Sequence, residues 1–213
     1  TGTQCVGCHA GHSFIPPPQN NFEAQFTNTS TSAVVTQSSY RIVNQNIQFP
    51  GSRVKDRKAR NDSLTVNWIA NGTQNEWVNL KWDVPIDVRK FVLYNIRANA
   101  LNNTNIQVND CEIFLYYLGQ QVGHVPSTGA ISSNGSVISI NGFPKIDEAK
   151  VIIKSFTGLI DGQSVAGLAE VETNARISYY DIIGIGNTPT TAGRFILSQN
   201  YPNPFNPSTE INY

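Results

Sequence analysis

From about residue 33 onward the chain is a succession of short apolar or alternating runs cut by Gly, Asn and Pro, and this pattern limits the possible folds severely. Runs at 34–43, 64–69, 77–82, 91–96, 112–118, 137–140, 151–156 and 175–183 have strand lengths and are rich in β-branched and aromatic residues. Asn134-Gly135, Asn141-Gly142 and Asp161-Gly162 punctuate them with residues that tolerate positive φ. No long stretch carries a helical period. About eight strands in one continuous domain predict an all-β fold, a jelly-roll β-sandwich.

A chain of 213 residues with a hydrophobic fraction of 39% can bury an ordinary core. Its 15 basic and 15 acidic residues cancel, so no overall field draws it to nucleic acid or to an anionic membrane. No apolar run approaches the roughly 20 residues needed to span a bilayer. Asn, Thr, Ser and Gln are abundant, as on surfaces that work outside the cell through neutral hydrogen bonds.

The N-terminal segment contains Cys5-Val6-Gly7-Cys8-His9, which reads as an attachment site for haem c. Two thiols at this spacing can each form a thioether to a haem vinyl group, which leaves His9 beneath the iron. A redox disulfide or half of a zinc site fits the cysteine pair, but neither needs the adjacent His. His12 is then a distal ligand to its own or a neighbouring haem. His124, in the turn-like stretch Gly123-His124-Val125-Pro126, competes for that place. The chain has no Met, so His–Met ligation from within it is excluded and bis-His ligation is favoured. Cys111 lies in an apolar run and is expected to be a small buried hydrophobe. Haem attachment to thiols implies export, and the four residues before Cys5 are those expected of a mature terminus after leader removal.

A family resemblance emerges along residues 33 to 175. Ala59-Arg60-Asn61-Asp62-Ser63-Leu64-Thr65-Val66-Asn67-Trp68, Glu76-Trp77-Val78-Asn79-Leu80, Phe91-Val92-Leu93-Tyr94-Asn95 and Gly167-Leu168-Ala169-Glu170-Val171-Glu172 resemble, in order, the landmarks of discoidin or coagulation-factor-type domains. These are galactose-binding-like jelly rolls that include many carbohydrate-binding modules. The resemblance implies a structural calcium held by a loop Asp, a Thr before the Trp and a late Glu. Here those positions are Asn61, Val66 and Glu170, so two of the three ligands are changed and the calcium site is impaired. Trp68, Trp77 and Trp82 are expected in the core or on a sheet face rather than as a sugar platform.

The tail 195–213, with Tyr201-Pro202-Asn203-Pro204-Phe205-Asn206-Pro207, resembles the opening of the C-terminal sorting domain of type IX secretion, of which only the first strand could be present. The expected organisation is a haem segment with a Pro-rich spacer at 1–20, the jelly roll at 21–186, a linker at 187–193, and the sorting-domain start or a strand-donating tail at 194–213. Asn28, Asn61, Asn71, Asn102 and Asn134 head formal N-glycosylation triplets.

The expected function is extracellular electron transfer by a non-enzymatic haem protein. Cys5, Cys8, His9 and His12 would serve the cofactor, and the partners would be other copies in a filament or another cytochrome. The alternatives are a secreted carbohydrate-binding or adhesive module whose partner is a surface glycan, and a structural filament subunit with an incidental haem.

Overall fold

The computed structural model describes residues 25–97, 105–160 and 162–178, all within the unit Thr1–Tyr179 of a chain that divides after that residue. The strands are β1 (Thr27–Asn28), β2 (Val34–Gln37), β3 (Ile42–Asn44), β4 (Ile47–Gln48), β5 (Trp68–Ile69), β6 (Trp77–Tyr94), β7 (Gln107–Tyr117), β8 (Gln120–Val125), β9 (Ser136–Ser139), β10 (Lys145–Thr157), β11 (Gly167–Leu168) and β12 (Glu170–Ile177). Three short 3-10 turns, Ser30–Ser32, Gly51–Lys55 and Leu64–Val66, are the helical elements between them. Every ladder is antiparallel. The all-β jelly-roll sandwich expected from the pattern is the fold observed.

Strand β6 belongs to both leaves of the sandwich. Its first part pairs with β2 through Val78–Lys81 and with β10 through Trp77–Lys81. Its last part pairs with β12 on one side and, through Lys90–Leu93, with β9 on the other. One leaf therefore runs β2-β6-β10-β7-β8 and the other β1-β12-β6-β9. The crossing falls at Trp82–Pro85, where β10 advances by only one residue, Asp147, between the pairs Ile86↔Ile146 and Lys81↔Glu148. Pro85 has no amide to donate, and a break in the ladder is where a strand interior accepts it. The sequence pattern read this proline as part of a gap between two strands, at 77–82 and 91–96. The chain instead runs through it as one bent strand.

Beyond the crossing a second irregularity resets the alternation. Val78, Leu80 and Trp82 point inward, as do Ile86 and Val88, and then Phe91 and Leu93. The shift of phase between Val88 and Phe91 coincides with a bulge, where Ala175 pairs with Val88 and Asn174 with Lys90. One extra residue turns the strand so that its apolar side keeps facing the core.

The core between the leaves contains Leu80, Phe91, Leu93, Ile113, Leu115, Val151, Ile153 and Val171, with Trp68 and Trp82 at its borders. The two indoles donate to the Ser39 and Thr29 carbonyls at 3.0 and 2.9 Å, so their one polar atom costs nothing on burial. Trp77 lies on the outer sheet face with the Lys150 ammonium 4.1 Å above its ring. Cys111 is buried, and burial pushes its thiol up to about 12, the behaviour of a small hydrophobe. A smaller cluster of Phe49, Ile69, Ile96, Ile106, Ile160 and Val165 closes one end. Asn95 pins it by donating to the Ile96 and Ile106 carbonyls and accepting from the Val108 amide.

Strand β8 is absent from the sequence expectation, which placed a turn near His124. Its hairpin to β7 turns on Leu118 and Gly119, both with positive φ (50° and 76°), between the paired residues Tyr117 and Gln120. Two residues of that conformation make a type I′ turn, whose usual signal is Asn-Gly. Leu-Gly hides it. Leu118 is 72% exposed and occupies a backbone region that its side chain disfavours. Leu118→Asn is therefore expected to stabilise the domain by about 0.5–1 kcal/mol. Urea unfolding would measure it, and a lower stability for the variant would contradict this turn assignment.

Candidate functional site

At the end of the second leaf, where β6 finishes and β12 begins, the loop after the Gly51–Lys55 turn folds across the sheet edge. It makes an open cleft of about 370 Å³ lined by Asn28, Arg57, Arg60, Tyr94, Glu170 and Glu172. Tyr94 and Glu170 are cross-strand partners, and Glu172 lies one pleat further along β12. The Tyr94 hydroxyl donates to Glu172 Oε2 at 3.3 Å. Burial, together with the Glu172 carboxylate, raises the pKa of the phenol, so Tyr94 stays a donor. Its ring is backed by the turn at Gly135. A Cβ there would lie 2.9 Å from both the ring and the Val92 side chain, and the local φ is +98°. Only Gly lets this turn approach so closely.

The loop is held by Glu170, whose side chain is fully buried. The amides of Arg57 and Ala59 donate to its Oε1 and Oε2 at 2.9 and 3.0 Å. Arg57 has φ +62°, which turns its amide inward and leaves its side chain exposed. Asp56 accepts from the Lys58 amide at 3.0 Å, and Arg97 braces the far side by donating to the Arg60 carbonyl at 3.0 Å while pairing with Asp62 at 3.2 Å. The guanidiniums of Arg57 and Arg60 thus stand on a fixed backbone and form no ion pair among the described residues.

This arrangement is incompatible with the calcium set. Both Glu170 oxygens already accept backbone hydrogens, and Asn61 Oδ1 accepts from the Ser63 amide at 2.8 Å. Val66 is buried and offers no side-chain oxygen. No group of three His, Cys, Asp or Glu side chains among the described residues is placed to hold a metal ion. Calcium is therefore corrected out of the reading.

Cys5, Cys8, His9 and His12 lie outside the described residues, as do the tail at 194–213 and the linker. His124 lies in a strand rather than a turn. Its imidazole stacks on Phe114 at 4.3 Å between ring centres on the exposed edge strand β8. A larger hollow of about 580 Å³ borders Gln25, Trp82, Asp83, Arg176 and Ile177. Two of its polar groups are committed, Arg176 to Asp87 at 3.1 Å and the Trp82 indole to Thr29.

Of the cleft residues, the sequence points to Glu170 for a calcium role and Asn28 for a formal glycosylation triplet, while Arg60, Tyr94 and Glu172 stand only within the family landmarks and Arg57 in none. The missed signal is Arg53, Lys55, Arg57, Lys58 and Arg60, five of the chain's 15 basic residues within eight positions. The balance of total charge concealed it.

Burial, opposed by the two amide bonds and reinforced by Asp56 and Glu172, pushes the Glu170 carboxyl up to about 7 from an ordinary 4.5. The folded domain thus holds this proton more tightly than the unfolded chain. The stabilising contribution is complete below pH 4.5 and is lost as pH rises to about 7. Glu170→Gln is expected to cost about 1–3 kcal/mol, because its amide nitrogen faces one of the two donors. The stability difference between wild type and variant should narrow from pH 4.5 to pH 7. Urea unfolding across that range would test it, and a difference that widened would reverse the assignment.

No family model and no curated protein matches the chain. Among solved structures it resembles a Streptococcus pneumoniae fucose binding module at 17% identity, covering 69% of this chain and 96% of that one, with a TM-score of 0.51. It resembles the family 32 CBM from C. perfringens NanJ in complex with galactose at 14% identity, covering 70% and 98%, with a TM-score of 0.53. The lectin domain of lectinolysin complexed with Lewis B antigen gives 19% identity, 71% and 100% coverage, and a TM-score of 0.50. At these identities the likeness is one of fold. It supports the galactose-binding-like jelly roll and corrects the expectation of a cytochrome: these neighbours are sugar-binding modules, and nothing in them or in the described residues supports haem, electron transfer or filament assembly.

Proposed function

We propose that this domain is a secreted or cell-surface carbohydrate-binding module that holds a glycan in the cleft of Arg57, Arg60, Tyr94 and Glu172. The observation that carries the reading is the juxtaposition, on one fixed frame, of charged donors, a carboxylate acceptor and a half-buried aromatic ring. Sugar hydroxyls need donors and acceptors together, and the apolar face of a pyranose needs a ring to lie on. The fold is one that glycan-binding modules also use. The abundance of Asn, Ser, Thr and Gln fits an extracellular surface, and among the described residues no helix is long and apolar enough to cross a membrane.

The module binds without cleaving. Glycoside hydrolysis needs two carboxyl groups that reach the bond from opposite sides. Glu170 cannot reach a ligand while both its oxygens serve the loop, and Glu172 has no second carboxylate facing it across the cleft.

A glycan array probed with the full chain is expected to give a discrete set of hits. Arg60→Ala and Tyr94→Ala should each weaken the strongest hit by about tenfold or more, equivalent to about 1.4 kcal/mol. The thermal transition of Arg60→Ala should stay within about 2 °C of the wild type, since its side chain is exposed. An array without hits, or hits indifferent to both substitutions, would refute the reading.

A further inference from the structure

The loop that borders the cleft carries more positive charge than a neutral sugar requires. In a chain of zero net charge, five cations and a single Asp occupy positions 53–60. They do not all face the same way. Lys55 turns back to donate to the Thr31 and Ala33 carbonyls, and Asp56 points inward, with one carboxylate oxygen buried. Arg53 is half-buried and outside the cleft, which leaves Arg57, Lys58 and Arg60 fully on the exposed side, and of these the two arginines line the cleft. Like charges gathered on a fixed loop repel one another, a cost that serves nothing in recognising a neutral hydroxyl.

The opposing carboxylates offset this field only in part. Glu172 keeps its charge while it accepts from the Tyr94 hydroxyl, but Glu170 is buried beneath the loop with its oxygens on the Arg57 and Ala59 amides and presents no free carboxylate to a ligand. The guanidinium fork matches the paired oxygens of a carboxylate or a sulfate, which a point charge such as Lys does less well. With Tyr94 below, the cleft has an apolar floor for the ring that carries such a group.

We infer that the cleft selects a glycan bearing an anionic substituent, a carboxylate or a sulfate, with Arg57 and Arg60 as its partners and Tyr94 beneath the sugar ring. This rests on the carbohydrate-binding reading above and specifies its ligand class. Arg57 and Arg60 are contact residues, and Glu170 is a positioning residue that keeps their loop in place.

Titration calorimetry on the full chain with three oligosaccharides of similar length tests it: a neutral galactan, an oligogalacturonate and a sulfated galactan. At low salt, one of the two anionic ligands is expected to bind at least about tenfold tighter than the neutral one, and to lose that advantage as salt is raised. Which of the two it is separates uronate from sulfate recognition. Arg57→Gln and Arg60→Gln should each reduce the preference by about fivefold or more, and Lys58→Gln, outside the cleft, by less. Equal affinity for the neutral galactan would overturn the inference and leave the carbohydrate reading in place. No binding to any of the three, with an array also lacking hits, would overturn both. Equal retention of polyglutamate, or a preference unaffected by the arginine variants, would show general electrostatic attraction and would also overturn it.

Discussion

A single strand must serve two sheets, and most of the architecture follows from how β6 does it. Over 18 residues it pairs with β2 and β10 at one end and with β12 and β9 at the other. An unbroken ladder would keep it in one plane. The interruption at Trp82–Pro85 lets it leave one leaf, and the bulge before Phe91 resets its phase on entering the other. Without that reset Phe91 and Leu93 would face water, and the two leaves would have no shared core. Trp82 sits at the crossing, with its indole tied to the chain near β1, so the bend is packed as well as permitted.

The cleft depends on the same strand. Tyr94 ends β6 and pairs with Glu170, the residue on which the cationic loop is hung. A buried carboxylate facing two backbone amides is a costly device in an all-β domain, and its raised pKa is the sign of that cost. It gives a loop without regular structure one conformation. Arg57 and Arg60 are consequently presented on a backbone that has little freedom left to lose.

The same geometry explains why a cation is not needed at this place. Where the resemblance to galactose-binding-like domains implies an Asp, a Thr and a Glu, this chain has Asn61, Val66 and Glu170. In the folded domain Glu170 draws hydrogen-bond donors instead of an ion, and Asn61 closes a local turn on the Ser63 amide. Backbone donors hold the loop here, and the contact they make with Glu170 is sensitive to pH.

Strand content was legible in the sequence because it rests on local physics: alternation, β-branched residues and residues permissive of positive φ. That pattern determined an all-β jelly roll, a buried Cys111 and Trp residues given to the core or a sheet face. It misjudged Pro85, since whether a proline ends a strand depends on which partner strand lies opposite. It missed β8, since Leu118-Gly119 takes a turn conformation that only the β7–β8 pairing enforces. The N-terminal Cys-x-x-Cys-His pattern spoke loudly as a motif and led the reading toward haem, away from a site that no motif announces. Arg57, Tyr94 and Glu172 are far apart in the chain, and they become a site only when β12 aligns with the end of β6. The sequence by itself determined which residues could be strands and which could be buried. Tertiary structure alone decided which charges would meet, because burial and proximity are properties of the assembled sheets rather than of any segment.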